Sequence, residues 1–393
     1  MDAASTDVDW FVDADSHLYE PRDAFTRYID PAFRERAVRV EIVDGVERIM
    51  VGDAPMTFLD PLYDTVPVPG SLREVLRSLA SGRITEERLT EPMRPEFVNP
   101  DARLAWMDEH RVERAVVVPS LGGVVETFMD DDPLHTDANI RAFNRWLADD
   151  WGLVHQNRIF TTPMVSLLDV DLAVGQIEWI AEHGGRFVHL RPGPAGARSP
   201  ADPVFDPFWA RVEEAGIVVV LHISESGYNR DITTRWSEAG RPNAWNISAF
   251  QWTVAYGDRP IMDTIAAFVL HNLFGRFPGL QVMSLENGSL WVPYLLAAMD
   301  KMKGMGRRSP WLGGPVVGRP SDICRRHLYV SPFHEEDHRP VVELLGADRV
   351  VFGSDFPHPE GVAEPADYLE GLANLPPDAV ARIMRHNLDE LLG

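Results

Sequence analysis

The sequence predicts an α/β fold of the (β/α)8, or TIM-barrel, class on three observations. The chain has 393 residues, which is long enough for one large barrel with insertions. Eight short apolar runs rich in Val, Ile and Phe recur along it, as expected for strands buried on both faces. Amphipathic stretches with helical spacing separate these runs, and eight alternations are the number that closes a barrel. An open doubly wound sheet is the alternative, although no G-x-G-x-x-G motif follows the first run.

The predicted strands and helices follow one another in regular order. We expect strands at residues 10–15, 114–119, 159–165, 186–190, 217–222, 280–286, 327–330 and 349–355. We expect helices at residues 101–110, 137–150, 169–183, 207–215 and 261–277. This order indicates a single barrel domain over residues 1–393.

Two segments are longer than a barrel requires. Residues 22–100 form an insertion after the first strand, and in it the Asp44-Gly45 pair is a type I′ turn signal. A β-hairpin with strands 38–42 and 46–51 is therefore predicted. Residues 224–260, after the fifth strand, are rich in Trp and Tyr, and we expect a long lid-like loop. The alternative is that these aromatic side chains only cover the outer helices.

Composition excludes several classes of partner. The chain has 60 Asp and Glu against 37 Lys and Arg, a net charge of −23, so we expect neither a nucleic-acid partner nor an anionic membrane surface. No apolar run is long enough to span a bilayer, and the acidic N-terminus lacks the features of a signal peptide, which predicts a cytoplasmic protein. The one cysteine, Cys324, allows no internal disulfide and no thiolate metal cluster. A small carboxylate remains compatible as a substrate.

Metal-competent side chains end several predicted strands. Asp13, Asp15 and His17 alternate at the end of the first strand and are expected on one face. His222 ends the fifth strand and Asp355 the eighth, and barrel enzymes keep their sites at the carboxyl ends of strands. Each residue alone has a structural explanation, as a helix cap or a hydrogen-bonded core histidine. Together Asp15, His17, His222 and Asp355 predict one divalent metal ion, with Zn²⁺ as the first expectation and Mn²⁺ or Fe²⁺ as alternatives.

Further polar residues follow the other strands. Glu286 and Asn287 come after the sixth strand, Arg191 after the fourth, and His358 three residues beyond Asp355. Asp355, Glu286 and His358 are predicted to be catalytic, with Asp355 as the general base for a metal-activated water. Arg191 and Asn287 are predicted to bind the substrate, since a guanidinium pairs well with a carboxylate. For Arg191, pairing with a structural Asp is the alternative.

Four segments as an ordered set resemble the amidohydrolase-related group of metal-dependent TIM-barrel enzymes: VDADSHLYEP, VVVLH, LFGRFPGLQVMSLENGSLW and FGSDFPHPEG. The group includes aminocarboxymuconate semialdehyde decarboxylase and γ-resorcylate decarboxylase. The resemblance extends to the C-terminal RIMRHNLDELL and is weakest over the insertion 22–100. It implies the same four metal ligands as the strand ends do, and a homodimer. In the decarboxylases a His ends the sixth strand, where this chain has Glu286.

Three functions are compatible with this sequence. The leading hypothesis, because Glu286 replaces that His, is a metal-dependent hydrolase acting on a small aromatic or cyclic carboxylated substrate through a metal-activated water. In it, Asp355 handles one proton, and Glu286 orients the substrate or moves a second proton. The alternative is a non-oxidative, metal-dependent decarboxylase (carboxy-lyase) of an aromatic or muconate-like acid. The third hypothesis is a catalytically silent barrel that binds no metal tightly.

Overall fold

The computed structural model describes residues 8–81 and 89–393, so the first seven residues of the N-terminus and residues 82–88 of the insertion lie outside the described residues. Seven barrel strands have the bounds β1 (Phe11–Leu18), β2 (Val112–Pro119), β3 (Ile159–Thr161), β4 (Phe187–His189), β5 (Val218–His222), β6 (Val282–Leu285) and β7 (Leu328–Val330). Each overlaps a strand predicted from the sequence.

Helices follow the strands as the alternation predicts. Those of the described residues are α1 (Leu72–Ser81), α2 (Pro95–Val98), α3 (Pro100–Glu109), α4 (Pro133–Asp150), α5 (Val170–Glu182), α6 (Asp206–Ala215), α7 (Tyr228–Asp231), α8 (Ala249–Gln251), α9 (Asp258–Leu270), α10 (Leu273–Arg276), α11 (Trp291–Met305), α12 (Pro320–His327), α13 (Arg339–Leu345), α14 (Pro377–Ala381) and α15 (Asn387–Leu392). Across the described ranges, no helix combines the length and apolar character needed to cross a bilayer.

The strands pair in the order of the chain. β1, β2 and β3 form one parallel set, and β4 to β7 form another. A parallel bridge between Met164 and His189 joins the two sets. On the other side, residues 350–356 bridge Val330 of β7 and Ser16 of β1, so they take the eighth place around the barrel.

The expectation of a regular strand at residues 349–355 is wrong. This segment makes only isolated bridges, through Val350 and Phe356, and no continuous ladder. The physical reason is that its backbone donors bond outside the sheet: the Phe352 amide donates to the Ile383 carbonyl at 3.1 Å and the Ser354 amide to the Asp13 carboxylate at 2.9 Å. At its end, Asp355 has φ of 57°, outside the extended region. The TIM-barrel class is nevertheless confirmed, with an irregular eighth segment.

A bulge in β1 separates two of the acidic residues expected on one face. Val12 belongs to the apolar cluster that lines the barrel, and the pairing of β1 with β2 shifts register between Asp13 and Ser16. The Asp13 carboxylate accepts hydrogen bonds from the Ser354 amide at 2.9 Å and the Ser354 hydroxyl at 2.6 Å. Because a bulge re-aims the side chains that follow it, Asp13 does not share the face of Asp15.

The insertion contains a hairpin and contacts the long loop after β5. Strands Arg39–Val43 and Val46–Val51 pair antiparallel, and φ is positive at both central residues, as a type I′ turn requires. The ring of the loop residue Tyr256 packs against Phe58 of the insertion, with 5.4 Å between centroids and 43° between the ring planes. The loop therefore packs on the insertion beside the barrel, and its action as a lid stays a prediction.

Candidate metal centre

Six side chains converge where the strands end, and we call them the ligand cluster. One nitrogen or oxygen atom from each member of the first group lies within 4.8 Å of the others: Asp15, His17, His222 and Glu286. A second group, with the same spacing, overlaps it: His17, Glu286, Asp355 and His358. The four ligands predicted from the sequence are divided between these groups: Asp15, His17 and His222 belong to the first, and His17 and Asp355 to the second. Glu286 and His358 join them in the cluster, and the ligand set itself stays a prediction.

The spacing of the donor atoms fits a single divalent cation. His222 Nε2 lies 3.4 Å from Asp15 Oδ1 and 3.1 Å from His17 Nε2. His17 Nε2 lies 3.4 Å from Asp15 Oδ1 and 3.2 Å from Asp355 Oδ1. Metal–ligand bonds of about 2.1 Å leave neighbouring ligands about 3.0–3.4 Å apart in octahedral or tetrahedral geometry.

The protonation pattern of the cluster also indicates a cation. Among the described residues, Asp15 Oδ1 is buried without a hydrogen-bond partner. His222 Nδ1 lies 2.9 Å from the Ile223 carbonyl and must donate to it, so a neutral ring presents its Nε2 lone pair to the cluster. Burial would lower the pKa of His222, but the Asp15 and Glu286 carboxylates outweigh it and raise that pKa. The cluster therefore favours positive charge at this position.

The cluster opens to solvent on one side. The exposed fraction of the side chain is 1% for His17 and 3% for Asp15, but 10% for Asp355, 13% for Glu286 and 16% for His358. The floor of the site is therefore made by β1, and its mouth by the residues that follow β6 and the eighth segment. A substrate would approach from the mouth.

Two carboxylates of the cluster have left-handed backbone. Glu286 has φ of 51° and Asp355 has φ of 57°, a region that few residues other than glycine adopt. Each such residue costs about 1–3 kcal/mol and persists where its surroundings hold it. The Asp355 amide donates to the Asp15 carbonyl at 2.7 Å, which fixes one ligand against another. Strain concentrated on ligand residues is typical of a functional site.

His358 lies at the mouth with both ring nitrogens engaged. Its ring stacks on His17 at 4.0 Å between centroids, and its Nδ1 lies 3.1 Å from Asp355 Oδ1. Its Nε2 lies 2.7 Å from the Ser120 hydroxyl, which gives its own hydrogen to the Leu18 carbonyl. Both nitrogens of His358 must therefore donate, and the ring is an imidazolium. Burial opposes this charge, but the Asp355 carboxylate raises the pKa of His358 to about 9.

The two residues predicted to bind substrate have other partners. Arg191 donates to the Ser226 carbonyl at 2.9 Å and lies 3.6 Å from Glu126. The Asn287 amide donates to the Leu221 carbonyl at 2.9 Å and so ties β6 to β5. The structure does not bring either residue into the groups of candidate ligands, and their contact with a substrate stays a prediction.

A buried arginine donates hydrogen bonds to the backbone of a ligand residue. This role was not predicted from the sequence. Arg103 of α3 is fully buried, and its guanidinium donates to the His17 carbonyl at 2.6 Å. It also donates to the Ser16 hydroxyl and to the Glu96 carbonyl, both at 2.7 Å. A signal was available, because Arg103 lies on the same helix face as the buried Trp106.

Removing the metal is expected to lower the melting temperature. Binding to the native state alone adds about 2.7 kcal/mol when the free metal is at 100 times its Kd. Without the cation, the carboxylates of Asp15, Glu286 and Asp355 also face one another at close range. Thermal melts before and after chelation, and after metal is returned, measure the effect. An unchanged melt, with metal removal verified by elemental analysis, would contradict the site.

Comparison with known proteins identifies the family of the chain. The family model described as amidohydrolase matches residues 12–393. The chain is similar to the crystal structure of the amidohydrolase map2389c from Mycobacterium avium subsp. paratuberculosis K-10, with 33% identity over 98% of this chain and 99% of that one, and a TM-score of 0.88.

Two decarboxylases share the fold at lower identity. The 2,6-dihydroxybenzoate decarboxylase from Rhizobium is 17% identical over 98% of both chains, with a TM-score of 0.62. A dihydroxybenzoic acid decarboxylase from Polaromonas sp. JS666, with bound manganese and the inhibitor 2-nitroresorcinol, is 16% identical over 98% of this chain and 97% of that one, with a TM-score of 0.61. The chain therefore belongs to the amidohydrolase family, and it is a TIM-barrel enzyme of the amidohydrolase superfamily.

Proposed function

We propose that the protein is a metal-dependent carboxy-lyase that removes CO₂ from a small aromatic acid with an oxygen substituent beside the carboxylate. The observation that carries this proposal is His358, an imidazolium at the mouth of the ligand cluster. Decarboxylation needs a proton donor for the carbon that CO₂ leaves, and this residue is one. The fold shared with two dihydroxybenzoate decarboxylases supports the same choice over the hydrolase expected from the sequence.

Four residues would hold the metal ion in this proposal: Asp15, His17, His222 and Asp355. Donor atoms of the first three lie within 4.8 Å of one another, and Asp355 Oδ1 lies 3.2 Å from His17 Nε2. Their carboxylate and imidazole donors fit such an ion. When bound, a divalent cation would supply Lewis-acid charge that neutralises the substrate carboxylate and the adjacent oxygen. We propose Mn²⁺ ahead of the Zn²⁺ expected from the sequence, because half of these ligands are carboxylates and the Polaromonas relative holds manganese.

The protein's own residues supply one proton and position its donor. The bond between the ring carbon and the carboxylate breaks, and its electron pair stays on the ring carbon. His358 supplies the proton that replaces CO₂ and gives up one of its two N–H hydrogen bonds, to Asp355 or to Ser120, as the proton leaves. Asp355 accepts from His358 Nδ1 and orients the ring, while Ser120 accepts from Nε2. Since the His358 side chain is partly exposed, solvent can return its proton after each turnover.

Hydrolysis is the second candidate, and Glu286 favours it. Burial and the neighbouring Asp355 charge raise the pKa of the Glu286 carboxyl. A carboxylate with a raised pKa accepts a proton from an attacking water more readily, as a general base must. The reaction products distinguish the two candidates.

The test is a product analysis with the manganese-loaded protein and 2,6-dihydroxybenzoate and related hydroxybenzoates. We expect metal-dependent CO₂ release, and in D₂O one deuterium at the vacated ring carbon. His358→Gln should retain its metal but lose about 10²–10⁴-fold in kcat. The control His183→Gln changes a histidine at the end of α5 and should match the wild type. Incorporation of ¹⁸O from water without CO₂ release would support hydrolysis instead, and no turnover by either route would contradict the proposal.

A further inference from the structure

We infer that Glu286 is itself a metal ligand, the fifth from the protein, and that its carboxylate supports Mn²⁺ binding far more than Zn²⁺ binding. This inference deepens the proposed function and rests on it for the presence of a metal ion at this site. It assigns Glu286 a fixed structural position in the centre, in place of the substrate-orienting or proton-moving role that its sequence position suggests.

The position of Glu286 is central to the ligand cluster. Its Oε2 lies 3.1 Å from His222 Nε2 and 4.0 Å from His17 Nε2. Glu286 and His17 are the two residues that belong to both groups of converging donor atoms. A cation placed among the donor atoms of Asp15, His17 and His222 would therefore also face the Glu286 carboxylate.

Counting protons shows that an ion pair with His222 does not explain the contacts. Because His222 Nδ1 donates to the Ile223 carbonyl, only its Nε2 faces the cluster. Three atoms lie within 3.4 Å of that nitrogen: Asp15 Oδ1, His17 Nε2 and Glu286 Oε2. A single proton on Nε2 can point at only one of them, and Asp15 Oδ1 is a buried oxygen without a hydrogen-bond partner among the described residues. One cation accepts all of these lone pairs at once.

The backbone around Glu286 is locked, as a ligand requires. The side-chain amide of Asn287 donates to the carbonyls of Leu221 at 2.9 Å and Leu285 at 2.8 Å, so the turn is held against the ends of β5 and β6. The next residue, Gly288, has φ of 60°, and a Cβ there would lie 2.6 Å from the Glu336 carboxylate. A carboxylate on so constrained a turn is placed before any metal or substrate arrives.

Five ligands of this kind distinguish two metals. Three carboxylates and two imidazoles are a hard, oxygen-rich set, which suits the higher coordination number of Mn²⁺. Zn²⁺ is satisfied by three or four protein ligands in tetrahedral geometry. Removal of the Glu286 carboxylate should therefore weaken Mn²⁺ binding strongly and Zn²⁺ binding little.

The test is a titration of the metal-free, full-length protein with each metal alone. For Glu286→Gln we expect the Kd for Mn²⁺ to rise at least about 100-fold, as measured by calorimetry and by the electron paramagnetic resonance of free Mn²⁺. Loss of a residue that only supports a ligand weakens metal binding by about 10–100-fold, and loss of a ligand should weaken it at least as much. The Kd for Zn²⁺, measured against a competing indicator, should rise less than about 10-fold. Glu360→Gln is the matched control, because Glu360 lies outside both ligand groups and close enough to Asp355 and Glu286 to feel their charges. Burial and those charges raise the pKa of Glu360 to about 8, so all titrations are run at about pH 9, where its carboxylate is largely ionised.

The outcomes separate a ligand from a nearby charge. Unchanged Mn²⁺ binding in Glu286→Gln, or equal losses in Glu286→Gln and Glu360→Gln, would overturn the inference. If Glu286→Gln fails to fold, Glu286→Asp replaces it, with an expected Mn²⁺ affinity below that of the wild type and a smaller effect on Zn²⁺. The titrations need no substrate, so a wild-type protein that binds Mn²⁺ but releases no CO₂ contradicts the proposed function and leaves this inference in place.

Discussion

Asp15→Ala and His222→Ala are each expected to lose stoichiometric metal binding and at least about 10³-fold in kcat/KM. Asp15 Oδ1 is a buried oxygen without a hydrogen-bond partner in the described part of the chain, and His222 Nε2 faces it at 3.4 Å. Asp15 Oδ1 has no other described role that would justify its burial. Several kcal/mol of charge stabilisation disappear with the metal, which corresponds to a loss of this size.

Elemental analysis of the purified variants, together with steady-state kinetics, measures this loss. His327→Gln is the matched control, since His327 is buried and contacts the Leu280 carbonyl, away from the ligand cluster. It should keep its full equivalent of metal. If both variants at residues 15 and 222 also kept one equivalent, the centre described above would be wrong. A wild type that took up no Mn²⁺ or Zn²⁺ would make the catalytically silent barrel the leading interpretation.

Arg103→Met is expected to lower the free energy of unfolding by at least about 2 kcal/mol, because two buried acceptors lose their donor at about 1–3 kcal/mol each and a third, part-buried acceptor loses its donor too. These acceptors are the carbonyls of His17 and Glu96 and the hydroxyl of Ser16. Methionine retains most of the apolar stem, so the loss reports on the hydrogen bonds more than on packing. The His17 ligand loses its backbone anchor, and the Kd for Mn²⁺ should rise about 10–100-fold.

Chemical denaturation and metal titration of the same variant give both quantities. Arg211→Met is the control, since Arg211 is an exposed arginine that pairs with Glu178 and Glu214. Exposed ion pairs contribute little, so this variant should melt near the wild type. An Arg103→Met protein as stable as the control would show that the buried guanidinium does not anchor β1.

The strand order was predictable from short, local patterns, and so was the position of the candidate metal ligands at the strand ends. His222 ends an uninterrupted apolar run, and Asp355 follows another, so their placement at one end of the barrel follows from strand polarity alone. Their assembly around one point then needed only the closure of the sheet.

The remaining features depend on contacts between distant parts of the chain. Ser120 and His358 are 238 residues apart, and no local pattern pairs them. The bulge after Asp13 depends on the register between β1 and β2, which a period-two reading of one strand does not contain. From the sequence, Glu286 was expected to act on the substrate. Its position in the ligand cluster depends on a left-handed turn, which strand periodicity does not predict.

The left-handed backbone at Glu286 and Asp355 places stability and activity in opposition. Glycine at either position would relieve the local strain, and asparagine tolerates this conformation better than most residues. Selection for heat tolerance in the presence of a chelator, where bound metal adds no stability, should therefore enrich these two residue types at positions 286 and 355. The resulting variants would be more stable than their parent under these conditions, but each would lack a carboxylate of the metal centre.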